Sequence, residues 1–211
     1  MRIREARLLT ALAVIGLCGL AVSRGFDVIR FANAKVGVSA YERRADAVRR
    51  WTGVPGVAGA ALEVSLTDPV DATTIAGGRR RSDELAAIIS VRPLSSMKWL
   101  ALAGTRVVTE QSFDKVLAAL SLSSLTGPNE GYVMSQRGIF GLVQWERLPE
   151  DVRKRTVTEF VAALLQHSMS NQETDVARGV LATKDAATHE EILDRLRAEG
   201  LPSGEIARIG L

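Results

Sequence analysis

Cysteine, histidine and aromatic residues are scarce in this chain of 211 residues. The single cysteine, Cys18, lies near the N-terminus, so the sequence has neither a disulfide framework nor a cysteine-ligated metal site. The two histidines, His167 and His189, have no partners at metal-ligand spacing, and His189 does not begin an H-E-x-x-H zinc motif. With 5% aromatic residues, we expect no basic stripe with interleaved aromatics of the kind that binds nucleic acid. We therefore predict no metal and no nucleic-acid partner.

Sequence signals of enzymes and of β-sheets are also missing. There is no G-x-S-x-G nucleophile motif, and the segment 127–131 (GPNEG) lacks the lysine and hydroxyl of a phosphate-binding loop. Apolar and polar residues do not alternate over more than a few positions, and the β-branched cluster at 73–75 is too short for a sheet. We predict an all-α protein that is not an enzyme and has no cofactor.

Positive charge is concentrated at one end of the chain. The whole sequence carries 27 basic and 24 acidic residues, a net charge of +3. The first 50 residues hold ten basic and four acidic residues, a net +6, so the remainder has 17 and 20, a net −3. The mildly acidic body gives no reason to expect a nucleic-acid partner, whereas the basic end is typical of a segment beside a membrane.

Residues 1–35 are predicted to form a membrane anchor and a juxtamembrane helix. A basic leader ends at Arg7, and the 15 residues 8–22 (LLTALAVIGLCGLAV) have no charged side chain. Such a helix spans about 22 Å, less than the roughly 30 Å hydrocarbon core. Apolar residues continue to Ala32, so a helix over about 8–32 would cross the bilayer. A cleaved signal peptide is the alternative, because Ala21 and Ser23 are small residues at the positions that a signal peptidase reads.

Residues 36–54 are predicted to be a linker that contains a basic amphipathic helix over 39–51. Such a helix would either lie against anionic head groups or pack on the next domain with a solvated face. Basic residues flank the apolar span almost equally, so the positive-inside rule does not fix its orientation. We expect the seven residues before the apolar span to stay in the cytoplasm, so that the body lies on the periplasmic side. The predicted membrane-surface contacts are Arg24, Arg30, Arg43, Arg44, Arg49 and Arg50.

Residues 55–168 are predicted to form helical hairpins, and residues 169–211 short capping helices. Pro55, Pro93 and Pro128 recur at similar intervals and each precedes a segment with helical periodicity. Ser82 is predicted to cap a helix that ends near Ser90. Thr188 is predicted to begin a capping box with Glu191.

One basic cluster stands in the body. Arg79, Arg80 and Arg81 precede the predicted helix start at Ser82, where three guanidinium groups could bind an anionic glycan or lipid. A solvated loop is the alternative interpretation of the same residues.

One hairpin resembles the tetratricopeptide family. Trp99 and Leu102 match the W-x2-L part of the W-x2-L-G pattern, and Ala103, another small residue, replaces its glycine; Leu120 lies in the second helix, and Pro128 is expected to open the next helix. In the following unit Met134, Arg137 and Gly138 occupy the tryptophan, leucine and glycine places. The resemblance implies a degenerate helical-repeat fold packed through Trp99, Leu102, Ala103, Leu120 and Pro128.

The whole layout is similar to membrane-anchored envelope proteins that accompany bacterial exopolysaccharide or O-antigen machinery. This resemblance implies a single-pass inner-membrane protein with a periplasmic body that binds envelope proteins and supports polysaccharide assembly or export. Two alternatives are an auxiliary glycan-handling enzyme and an accessory subunit of a larger membrane complex.

Overall fold

The computed structural model describes residues 74–210 continuously and, before them, isolated positions within 13–30 and 51–61. In this part of the chain all regular structure is helical and no strand occurs, which confirms the all-α prediction. The chain divides into two compact units, Met1–Pro93 and Leu94–Leu211. Residues 74–210 form eight α-helices: α1 (Ile75–Val91), α2 (Ser96–Val108), α3 (Phe113–Thr126), α4 (Gly131–Val143), α5 (Glu150–Leu165), α6 (Asn171–Ala182), α7 (Ala186–Ala198) and α8 (Ser203–Arg208).

The described positions between 13 and 30 are helical, and their large apolar side chains are exposed. Val14, Leu17, Leu20 and Phe26 are between 53% and 66% exposed. Among the described residues, none of the helices combines the length and apolar character needed to span a membrane. Arg30 is helical and exposed. The other predicted membrane-surface residues, Arg24, Arg43, Arg44, Arg49 and Arg50, lie outside the described residues, as does the predicted helix over 39–51 except for its last residue.

Helix α1 begins earlier than the sequence pattern indicated. Its N-cap is Thr74, whose hydroxyl accepts a hydrogen bond from the Gly77 amide at 3.1 Å, so the predicted cap at Ser82 is wrong. Thr74 supplies the side-chain oxygen that an N-cap requires. Inside the helix, Arg80 and Arg81 each bind the buried carboxylate of Glu84 at 3.2 Å. These pairs at i,i+4 and i,i+3 favour a helix through a segment that contains two glycines.

The caps of α6 and α7 also differ from the prediction. The capping box lies at the start of α6, where Ser170 and Glu173 exchange side-chain and backbone hydrogen bonds. Helix α7 is capped by Asp185, which accepts from the Thr188 amide at 2.7 Å, so the predicted capping box at Thr188 is wrong. Because the Asp185 carboxylate accepts from the Thr188 amide, Asp185 is the N-cap residue and Thr188 is the third residue of the helix.

The Leu94–Leu211 unit is built from helices that pack mainly in pairs. Helix α2 packs on α3 and α4 packs on α5, while α4 also contacts α2 and α6, and α5 contacts α7. A 3-10 turn, Trp145–Arg147, connects α4 to α5. A large apolar cluster runs from α4 to the C-terminal end and includes the fully buried side chains of Phe160, Leu164, Leu181, Ile192 and Leu196. The last two helices are therefore part of the same core as α4 and α5.

The residues expected to pack the hairpins differ in how deeply they are buried and in whether they lie in a helix or a loop. Leu102 and Ala103 in α2 and Leu120 in α3 are buried, whereas Trp99 is half-buried. Pro128 is exposed and does not open α4, which begins at Gly131. The physical reason is that Gly127 caps the end of α3 and Glu130 is the N-cap residue of α4, so Pro128 lies in the loop between the two caps.

Candidate functional site

A concave pocket of about 490 Å³ lies between α4 and α6, and we call it the α4–α6 pocket. Tyr132 and Val176 are its exposed apolar residues, at 59% and 48% exposure. The other lining residues are Gln136 and Ile139 of α4, Ser168 and Ser170 of the preceding loop, and Gln172 and Glu173 of α6. The pocket thus combines apolar side chains with amides, hydroxyls and one carboxylate, which is typical of a binding site.

The loop that follows α5 forms one wall of the pocket. His167 has a positive φ of 51°, and the next amide, that of Ser168, donates to the Ala163 carbonyl at 2.9 Å. This left-handed residue ends α5 and turns the chain back towards α4. Ser168 then lies so close to Gly131 that a β-carbon at Gly131 would collide with the Ser168 hydroxyl. Glycine at the first position of α4 therefore allows the wall to approach.

Glu173 lies at the bottom of the pocket and is 9% exposed. Its Oε1 accepts from the Ser135 hydroxyl at 2.7 Å and from the Gln136 amide. Its Oε2 accepts from the Ser170 amide at 2.7 Å and from the Ser170 hydroxyl at 2.8 Å. One carboxylate thus joins α4 to the N-terminal end of α6.

The Glu173 carboxylate is held in its charged form. Burial alone would raise its pKa, but the hydrogen bonds from the Ser170 backbone, the Ser135 and Ser170 hydroxyls and the Gln136 amide outweigh that effect and lower the pKa below the ordinary glutamate value. Among the residues that the structure describes, no lysine, arginine or histidine forms an ion pair with Glu173. The pocket therefore contains a buried negative charge that hydrogen bonds stabilise but no cation neutralises.

The opposite side of α4 contains a buried arginine. Arg137 is 1% exposed and pairs with Glu159 of α5 at 2.7 Å. Its other nitrogens donate to the carbonyls of Ser123 and Gly127 at 3.2 and 3.1 Å. These carbonyls lie at the C-terminal end of α3, where the helix dipole favours a cation. Arg137 therefore connects three helices and has a structural role.

A second charged network surrounds Trp145, which is 1% exposed. Its indole nitrogen donates to Glu191 at 3.2 Å, and the guanidinium groups of Arg153 and Arg195 lie 5.5 and 5.7 Å from its ring centre. Both arginines also pair with Glu191, and Arg195 binds Glu150 through two nitrogens at 2.8 Å. This network connects the 3-10 turn, α5 and α7, and every charge in it has a partner.

The predicted anion-binding residues are helical rather than part of a loop. Arg79, Arg80 and Arg81 lie in the second turn of α1, beyond the helix N-terminus that was expected to contribute amide groups. Arg80 and Arg81 bind Glu84, and Arg79 is exposed. Anion binding by these residues stays a prediction.

The sequence analysis did not predict the pocket residues of α4 or those of α6 as site residues. The segment 170–173 (SNQE) is a capping-box motif, and this signal identifies Ser170 and Glu173 as the start of α6. The pairing of Glu173 with Ser135 and Gln136 joins residues more than 35 positions apart, and no local pattern predicts it.

No family model, curated protein or solved structure matches the chain. Within the described residues, no group of three or more histidine, cysteine or acidic side chains could hold a metal ion. The inference of function therefore depends on the geometry of the α4–α6 pocket and on the sequence before it.

Proposed function

We propose that this protein is a membrane-anchored helical-repeat scaffold whose body binds a partner protein of the bacterial envelope. The observation that carries the proposal is the α4–α6 pocket, a concave surface between two helices of the Leu94–Leu211 unit. Helical-repeat proteins bind their partners on such surfaces. The pocket has exposed apolar residues at its rim, Tyr132 and Val176, and polar groups that would fix the orientation of a bound segment.

The packing of the helices supports the helical-repeat part of this proposal. In a stack of hairpins, first helices contact first helices and second helices contact second helices. Contacts of α4 with α2 and α6, and of α5 with α7, follow that order, whereas α3 with α5 and α6 with α7 are not among the principal contacts. Gly138 agrees with the resemblance to the tetratricopeptide pattern, because a β-carbon there would lie 2.8 Å from Phe160 Cδ2 of the paired helix.

The N-terminal sequence supports the anchor. Residues 8–22 have no charged side chain, and the large apolar side chains described between residues 14 and 26 are exposed on helical positions. Exposed apolar helical surface is favourable in lipid and unfavourable in water. An anchor would also raise the local concentration of a membrane-bound partner. A role in polysaccharide assembly or export follows only from the resemblance in layout and is part of the same proposal.

Site-specific photocrosslinking in intact cells tests the proposal. A photoreactive amino acid replaces Tyr132 at the rim of the pocket, and adducts are isolated from the membrane fraction. We expect one protein adduct of discrete mass from position 132, because a docked segment would lie within reach of the probe.

Leu125 provides the matched control. It is 74% exposed on α3 and does not line the pocket, so the same probe there should give no such adduct. Equal adducts from both positions, or none from position 132, would contradict the scaffold proposal. Recovery of the position-132 adduct outside the membrane fraction would contradict the anchor.

A further inference from the structure

We propose that the segment bound in the α4–α6 pocket is basic and places a lysine or arginine side chain beside Glu173. This inference rests on the proposed function, because it identifies the chemistry of the partner at the same site.

Glu173 carries a buried charge that hydrogen bonds stabilise but that no cation pairs with among the described residues. Two cations that follow it in sequence already have partners: Arg178 binds Asp175 at 2.8 Å, and Lys184 binds Glu146 at 2.9 Å. Neither pairs with Glu173 among the described contacts. A buried carboxylate without a counter-ion attracts a cation more strongly than an exposed one does, because the local dielectric constant is lower.

The polar groups that line the pocket around that charge are suited to a cation. The Gln136 amide nitrogen is directed to Glu173, which leaves the side-chain carbonyl of Gln136 as an acceptor in the pocket lining. The Ser168 hydroxyl and the Tyr132 hydroxyl are further acceptors in the same lining. An ammonium or guanidinium group carries several donors and no acceptor, so a set of acceptors around one negative charge suits it.

Apolar side chains line the pocket together with the carboxylate. Tyr132, Ile139 and Val176 line the pocket together with Glu173. Lysine and arginine have long aliphatic stems, which pack on apolar surface while the charged end reaches a polar group. The Tyr132 ring adds a face that attracts cations. A simple anion or a neutral apolar side chain would satisfy only part of this lining.

The four hydrogen bonds of Glu173 set how a cation would bind. They fill the acceptor positions of the carboxylate, so a new donor has to replace one of them. The Gln136 amide is the donor best suited to move, because it belongs to a long, half-buried side chain, whereas the Ser170 amide is backbone. We expect the incoming cation to displace Gln136 from Oε1 and to leave the capping box intact.

Fluorescence anisotropy with two labelled octapeptides tests the inference. One peptide alternates lysine with alanine, and the other is identical except that its lysines are Nε-acetylated, which removes only the charge. The protein is the full chain in a neutral detergent. We expect the lysine peptide to bind about tenfold more tightly than the acetylated one, as a charged hydrogen bond requires.

Four variants locate the preference. Glu173→Gln should abolish it, and so should Val176→Lys, because position 176 lies one helical turn from Glu173 and a lysine there supplies the missing cation. Val176→Gln is the matched neutral control: it removes the same apolar side chain without adding a charge, so both peptides should bind more weakly while the preference for lysine remains. Asp114→Asn removes an exposed carboxylate of α3 outside the pocket and should also leave the preference unchanged.

The outcomes separate this inference from the scaffold proposal. Equal binding of the two peptides, no binding of either, or a lysine preference that persists in both Glu173→Gln and Val176→Lys would overturn it. If the crosslinked adduct at position 132 is nevertheless obtained, the scaffold proposal stands and only the basic character of the partner is wrong. If Glu173→Gln fails to fold, Val176→Lys still decides the question, because Val176 is half exposed.

Discussion

Helix α4 packs against α5 and α6 in different ways, and the contrast between these two contacts separates a closely packed face from an open one. Towards α5 the contact is tight: β-carbons at Gly138 and Gly141 would collide with Phe160 and Thr156, and Arg137 is buried in an ion pair. Towards α6 the same helix leaves a pocket of about 490 Å³ around one hydrogen-bonded carboxylate. Close packing uses small residues to maximise contact, whereas an open polar contact keeps space for a ligand.

The largest effect should follow from breaking the ion pair on the α5 side. Arg137→Met leaves Glu159, whose side chain is 13% exposed, without its cation and removes the guanidinium donors to the Ser123 and Gly127 carbonyls. We expect the free energy of unfolding to fall by about 3 kcal/mol, the cost of removing one partner of a buried pair. Urea titration measures it.

The control for Arg137→Met is the double variant Arg137→Met with Glu159→Gln. It removes the uncompensated charge and should recover part of the loss, because most of the penalty comes from the abandoned carboxylate. A double variant less stable than Arg137→Met alone would show that Glu159 has other partners that matter more.

The second prediction compares two glycines of different surroundings. Gly141→Ala places a methyl group against Thr156 at the α4–α5 contact and should destabilise the protein by about 2 kcal/mol through overpacking. Gly179→Ala is the matched control on α6, where nothing lies within 4 Å of the added carbon. It should stabilise the protein by about 0.5 kcal/mol, because alanine has the higher helix propensity. Opposite signs in thermal unfolding would confirm the contrast, and equal signs would refute it.

The sequence predicted the local part of this picture better than the contacts between helices. Local signals of α5 are visible in the sequence: proline and acidic residues at 149–151 (PED) favour a helix start, and an apolar stripe follows them to Leu165. The predicted start of α1 at Ser82 was wrong. Glycines at 77 and 78 imply a loop, but the Thr74 cap and the ion pairs of Arg80 and Arg81 with Glu84 stabilise a helix there.

Long-range pairing explains why the site itself could not be predicted. Glu173 meets Ser135 and Gln136 across two intervening elements, and Arg137 occupies a place where the resemblance predicts leucine. A local sequence pattern does not show which distant residue will pair with a buried charge, and it does not show where two helices will leave space for a pocket. Only the capping-box spacing of Ser170 and Glu173 is visible in the sequence.

The smallest of the three effects concerns the α6 side and depends on pH. Glu173 has a lowered pKa in the folded protein, so its carboxylate contributes stability that is fully present above the unfolded glutamate pKa of about 4.3. This contribution is lost as the pH falls through the lower folded-state value, because the unfolded chain then binds the proton more readily. Glu173→Gln should therefore cost about 1 kcal/mol at neutral pH, and its stability difference from the wild type should shrink in acid.

Urea titrations of the wild type and the Glu173→Gln variant at several pH values measure this difference. Glu150→Gln is a suitable comparison, because the Glu150 pKa is also lowered, chiefly by its hydrogen bonds to Arg195, but its side chain is 71% exposed. Solvent screens such a pair, so its removal should change the unfolding free energy by much less than the removal of Glu173 does. A Glu173→Gln difference that stays constant or grows as the pH falls would mean that the carboxylate is not stabilised in its charged form, and the two faces of α4 would then differ in packing but not in electrostatics.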